Sequence, residues 1–159
     1  QSVDEIAKAV EVFGKRDISI CGMFILGGDN DDVETVRATV EFCRRTRLPY
    51  VQFSVLFPIP GTPLFERLER EGRILTRDWS LFDGSHVVFR PAKFRPAELQ
   101  RWYVWAWKKV YGLFRTSPTW YRFQRPFEWA ALRWMVRRWR RLNRDYLRWL
   151  RRQPALGRA

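Results

Sequence analysis

Histidine is almost missing from this sequence, cysteine and methionine occur twice each, and acidic residues are outnumbered 17 to 30 by lysine and arginine. Each scarcity excludes something. The one histidine, His86, has no cysteine or carboxylate cluster around it at metal-ligand spacing, so it reads as a neutral or partly solvated strand residue. Cys21 and Cys43 are too few for a disulfide framework and sit in apolar surroundings; two buried free thiols in a reducing cytoplasm are expected. No run of about 18 apolar residues exists, which argues against a spanning helix. The first residues lack an apolar stretch behind a basic one, so no signal peptide is expected and a cytoplasmic location follows. The segment Asp29, Asp31, Asp32 lacks the glycine and distal glutamate of a calcium loop and reads as helix capping.

The shortage of acid is local. Residues 1–100 hold 14 Lys/Arg against 15 Asp/Glu, whereas residues 101–159 hold 16 Lys/Arg against Glu128 and Asp145 alone. Eight of the nine tryptophans also lie in that second part. The average pI describes neither portion. A near-neutral module is followed by a basic, aromatic tail.

Within the first portion, Val3, Ile6, Ala7, Val10 and Phe13 recur at helical spacing, and Gly14 follows as a C-cap. Residues 18–26 form a nearly continuous apolar run, the pattern of a strand buried on both faces. Glycines and acids end it, and a helix is predicted over 33–45. A second apolar run, 50–56, is broken by Phe57-Pro58-Ile59-Pro60-Gly61-Thr62-Pro63, because proline cannot donate to a ladder. A short helix follows from Leu64 to Glu71, with Gly72 after it. Residues 79–91 read as a loop leading to a short strand, and a helix is predicted from about Ala97 to Tyr111. The order helix, strand, helix, strand, helix is a repeated β/α unit, so parallel strands with right-handed crossovers are expected. Two strands neither close a barrel nor make a wide sheet, so the chain is read as part of a larger fold.

Two segments carry a chemical signal. Gly22-Met23-Phe24-Ile25-Leu26-Gly27-Gly28-Asp29-Asn30-Asp31 ends the first strand, and Leu56-Phe57-Pro58-Ile59-Pro60-Gly61-Thr62-Pro63-Leu64 ends the second. In this order, about 30 residues apart, they resemble the ends of the fifth and sixth barrel strands of the radical S-adenosylmethionine superfamily. Ile25 and Gly27 match an Ile-x-Gly core; Gly22 stands one place early and Asn30 replaces an acid. The continuation through Asp78-Trp79-Ser80 and Phe82-Asp83-Gly84-Ser85-His86-Val87-Val88-Phe89-Arg90-Pro91 resembles the post-barrel segment of the cobalamin-binding, hopanoid methylase-like branch. The resemblance covers roughly residues 1–112.

It implies an α/β fold: the C-terminal part of a partial (β/α) TIM-like barrel. It also implies that Ile25 packs on the adenine of S-adenosylmethionine, that Gly27 lets the backbone approach, and that the backbone at Leu56 and Phe57 meets the adenine edge. Alternation places Met23 beside Ile25, and Gln52 and Ser54 beside Leu56, facing a substrate cavity. The family's cofactors are S-adenosylmethionine, a 4Fe-4S cluster and, in this branch, cobalamin. The cluster needs a Cys-x-x-x-Cys-x-x-Cys loop, which is absent here. No catalytic or metal-ligating residue is therefore assigned, no cofactor is expected on this chain alone, and the missing partner is the N-terminal part of the same enzyme.

Three regions follow: residues 1–75 as barrel β/α units, 76–112 as a post-barrel loop, strand and helix, and 113–159 as a tail. In the tail Phe127, Ala131, Trp134, Met135, Leu142, Tyr146, Trp149 and Leu150 recur mostly at three- and four-residue steps. Arg133, Arg137, Arg140, Arg141, Arg144, Arg148 and Arg151 fill much of the rest. This is a basic amphipathic helix over about 126–152. It suits an anionic membrane surface or docking on the protein's own core, and nucleic acid less well. The competing view of the whole chain is a membrane-peripheral or nucleic-acid-binding module without catalysis.

Overall fold

A computed structural model describes residues 2–111 and 126–152. Expectations for 113–125 and for the chain end after 152 lie outside the described residues, as do the side chains of Phe127, Ala131, Arg133, Met135, Arg140 and Leu142. Helix α1 (Val3–Gly14) starts on a reciprocal capping box between Ser2 and Glu5. Gly14 is its last residue rather than its cap. Lys15 takes the cap position, and the left-handed residue of the exit turn is Asp17, at φ 57°.

Strand β1 (Cys21–Leu26) and strand β2 (Tyr50–Val55) pair in parallel, with helix α2 (Val33–Arg45) as the crossover. This bears out the β/α reading. The register sets Cys21 beside Tyr50, Met23 beside Gln52, Phe24 beside Phe53 and Ile25 beside Ser54. The first strand starts at Cys21, three residues later than its apolar run, and Ile18 is exposed.

The expectation of burial on both faces is corrected. Leu26, Val51, Phe53 and Val55 are buried beneath α2 and helix α4 (Pro96–Val110), while Met23 is 70% and Ile25 65% exposed on the other face. A period of two sends neighbours to opposite faces, and among the described residues only one face has helices against it. The cysteines follow the same division. Cys43 of α2 is buried and Cys21 is exposed, so the expectation of two buried thiols fails for Cys21. Burial pushes the Cys43 thiol up to about 12. Alkylation at mildly alkaline pH should therefore label Cys21 quickly and Cys43 only on unfolding; mass mapping of the modified peptides checks this.

The second strand leads into helix α3 (Pro63–Arg70). Thr62 caps it by accepting from the Phe65 N–H, and Pro63 takes the first turn, where its missing N–H costs nothing. Beyond α3 the chain forms a single 3₁₀ turn, Trp79–Leu81, and one antiparallel bridge between Ile74 and Phe89 in place of the expected short strand. Val87, Val88 and Phe89 are nonetheless fully buried.

Helix α5 (Pro126–Arg152) matches the predicted span of the tail helix. It lies on α4. Its Trp139 packs edge-on against Tyr103, Tyr146 and Leu150 are buried, and the Tyr146 hydroxyl donates to the Val87 carbonyl. Tyr146 and Leu150 of the apolar stripe are thus used against the protein's own core, while its Trp134 and Trp149 stay exposed.

Candidate functional site

The open face of the sheet is where the sequence-selected residues meet. Met23 and Ile25 of β1 stand beside Gln52 and Ser54 of β2, forming a two-by-two patch of two apolar and two polar side chains. Gln52 is exposed, and Ser54, Leu56 and Phe57 are half-buried. The Leu56 N–H donates to the Leu26 carbonyl at 2.8 Å, so the two strands stay coupled one residue past the sheet. At this edge the Leu56 carbonyl and the Phe57 N–H are among the backbone groups without a hydrogen-bond partner within the described residues, as is the Gly27 carbonyl.

Two loops frame the patch. The first follows β1. Gly27 has φ 102°, which side chains rarely adopt. Its N–H and that of Gly28 both donate to the Asp31 carboxylate at 2.9 Å. A side chain at Gly27 would place Cβ 2.6 Å from the Leu99 methyl of α4, on the covered side of the sheet. The glycine is therefore required first by packing within the chain.

Capping accounts for only part of the acidic cluster. Asp32 caps α2 in a reciprocal box with Thr35. Asp29 instead bridges Arg67 at 2.7 Å and Arg73 at 2.9 Å. Hydrogen bonds from Arg73 and Arg67 hold its carboxyl below the ordinary range. That network ties the β1 loop to α3 and to the segment after it.

The second loop is the turn 82–86. The Gly84 carbonyl accepts from the Val55 N–H at 2.7 Å, and Gly84 has φ 73°. A Cβ there would lie 3.3 Å from the Phe57 ring and 3.5 Å from the Ser54 side chain. Beside it, Asp83 and His86 form a pair the sequence reading passed over. The His86 Nδ1 lies 2.9 Å from one Asp83 carboxylate oxygen and 3.0 Å from the other. Burial opposes ionisation of Asp83, but its bonds to His86 and to the Ser85 N–H outweigh that and lower its pKa. The signal was visible as an aspartate three residues before the only histidine, in a turn marked by glycine. Tyr146 packs edge-on against the His86 ring at 4.5 Å, so α5 backs the turn.

Among the described residues no group of three His, Cys, Asp or Glu could hold a metal ion. With one exposed and one buried cysteine far apart in sequence, the thiolates present do not fit a cluster that needs three. The open patch has a different character. An exposed isoleucine, a neighbouring methionine and unpartnered backbone groups at one edge are the composition of a ring-binding wall.

No family model matches the chain. A search of curated proteins does find relatives. The chain is 34% identical over 123 residues to bacteriochlorophyllide d C-12(1)-methyltransferase of Chlorobaculum tepidum, covering 77% of this chain and 25% of that protein. It is 24% identical over 110 residues to the C-8(2)-methyltransferase of the same organism, covering 69% and 24%. Hopanoid C-2 methylase of Rhodopseudomonas palustris is 33% identical over 73 residues, 46% of this chain and 14% of that enzyme. These relatives are methyltransferases. The chain spans about a quarter of the length of the first two. The resemblance read from the strand ends thus agrees with relatives found independently, at modest identity.

Proposed function

We propose that this chain is the C-terminal part of a radical S-adenosylmethionine methyltransferase and supplies one wall of the cavity that holds S-adenosylmethionine and substrate. The observation that carries the reading is the uncovered sheet face, with Met23, Ile25, Gln52 and Ser54 gathered by the register. A two-stranded parallel sheet with helices on one side only is the geometry of a barrel segment whose other face lines the interior. Residues 1–75 are then the last β/α units, 76–112 the post-barrel segment, and 113–159 an extension whose helix α5 packs on α4.

Each side chain has a role on this reading. Ile25 offers an apolar surface to the adenine. The Phe57 N–H and the Leu56 carbonyl hydrogen-bond the adenine edge. Met23, Gln52 and Ser54 face the substrate. The cofactor, when bound, supplies the methyl group. Cluster ligands, and a cobalamin site where one is used, belong to an N-terminal portion, and the isolated chain is inactive.

The test is Ile25→Glu in the full-length protein that carries this chain. The side chain is 65% exposed, so the fold should keep its stability. Losing its apolar contact and burying a charge against a ring should weaken S-adenosylmethionine binding by about tenfold or more. Equilibrium dialysis with labelled cofactor measures this. Unchanged affinity, with the fold intact, would remove β1 from the cofactor site.

A further inference from the structure

We infer that the outward face of α5 is a docking surface for an anionic phospholipid membrane, bound by charge rather than by insertion of the helix. This stands apart from the open sheet face and from any cofactor.

The docked stripe of α5 runs through Trp139, Asn143, Tyr146 and Leu150, at steps of four, three and four. Those residues are used against α4 and the 85–87 segment. A second stripe follows the same spacing on the far side. Arg137, Arg141, Arg144, Arg148 and Arg151 recur at steps of four, three, four and three, and all five are exposed. At the helical rise they form a ridge about 21 Å long. Asp145 is the acid on this face, and it is paired with Arg148 at 2.6 Å. Residues 1–100 are nearly neutral, so the positive field of the protein is concentrated on this side.

Among the described residues two tryptophans stay exposed beside the ridge, Trp134 and Trp149. Trp134 is 63% exposed, with the Arg138 guanidinium 5.6 Å from its ring. Tryptophan flanked by arginine is the arrangement favoured at a membrane–water interface. The helix cannot roll to bury more without pulling Trp139, Tyr146 and Leu150 out of their packing. Binding is therefore electrostatic, with Trp134 as a shallow contact.

A phosphate backbone offers the same charge, but the shape fits it less well. Single strands are held in grooves by several stacking aromatics, whereas the exposed described rings beside this ridge, Trp134 and Trp149, stand near its opposite ends. A straight row of guanidiniums matches a flat anionic surface.

Sedimentation of the full-length protein with vesicles tests the inference. Phosphatidylcholine vesicles containing phosphatidylglycerol should carry the protein down at low salt, and pure phosphatidylcholine vesicles should not. Raising salt should release it, since exposed charges are screened within about 8 Å at 0.15 M. The triple variant R137E/R141E/R148E should lose binding by more than about a hundredfold, at roughly fivefold per charge removed near the surface. R137Q/R141Q should lose less, in proportion to the charge removed. These side chains are exposed, so circular dichroism should be unchanged; if the triple variant misfolds, the glutamine pair decides. Failure to sediment with anionic vesicles at low salt overturns the inference, as does equal binding to neutral ones. So does short duplex or single-stranded DNA that displaces the protein from vesicles at lower concentration than lipid, which would mark nucleic acid as the occupant.

Discussion

Gly27→Val should destabilise the fold by about 3 kcal/mol or more, and the loss should come from two separable sources. Forcing a β-branched residue into φ 102° costs on the order of 1–3 kcal/mol. The new Cβ would also lie 2.6 Å from Leu99 Cδ2, and Leu99 is fully buried, so that methyl has nowhere cheap to go. Overpacking of this kind adds about 1–3 kcal/mol. Leu99→Ala removes the obstructing methyl and should relieve the second source while leaving the first. Denaturant unfolding of Gly27→Ala, Leu99→Ala and the pair measures the coupling directly. Additive losses would show that the crowding is not what fixes glycine here. The result bears on function as well, because any loss of cofactor binding in Gly27→Val would follow from the damaged turn, whatever the backbone does for a ligand. Ile25, exposed on the opposite face, is the cleaner probe.

Much of this architecture was written in local patterns. The parallel pair follows from two apolar runs separated by one helix of crossover length, and the span predicted for α2 agrees with its Asp32 cap and the arginines of its last turn. The open face was not legible. Leu26 and Ile25 look alike in sequence, and only the side on which α2 and α4 pack separates a core residue from an exposed one. The strand expected before Arg90 failed for a similar reason. Val87, Val88 and Phe89 are apolar enough for a strand, but their hydrogen bonds go partly to side chains, with the Val87 N–H donating to Gln100 and the Val87 carbonyl accepting from Tyr146. Long-range pairs such as Asp29 with Arg67 and Arg73 leave no periodic trace.

The candidate site was legible in part. Resemblance selected Ile25, alternation added Met23, Gln52 and Ser54, and the register sets Met23 beside Gln52 and Ile25 beside Ser54. The turn at Gly84 and the Asp83–His86 pair depend on a loop folding back onto β2, which no spacing rule specifies. The tail was read correctly as a helix, but its apolar stripe was open to two partners in sequence. Of the stripe's described side chains, Tyr146 and Leu150 pack within the chain, whereas Trp134 and Trp149 face outward.

Gln100 holds the tail to the body, and Gln100→Leu should be among the most damaging single changes in the molecule. The residue is fully buried. Its side-chain carbonyl accepts from the Val87 N–H at 2.9 Å, and its amide donates to the Ser85 carbonyl at 2.8 Å and to the buried Asn143 of α5. Leucine fills a similar volume but satisfies none of these groups. Two backbone groups and one side-chain oxygen would lose their partner, each at about 1–3 kcal/mol when sealed from water. The expected loss is about 4 kcal/mol, reduced wherever water can enter. Asn143→Leu alone should cost less, because the Val87 and Ser85 bonds survive. Pairing it with Gln100→Leu should recover part of the loss by putting two apolar groups where two polar ones met. Hydrogen exchange supplies a second readout. In Gln100→Leu the amides of α5 should exchange faster than those of α2, because the helix loses its polar anchor while the sheet-side core keeps its packing. Equal acceleration in both helices would mean that α5 and the sheet open as one unit, and that Gln100 is a core residue rather than a clamp on the tail.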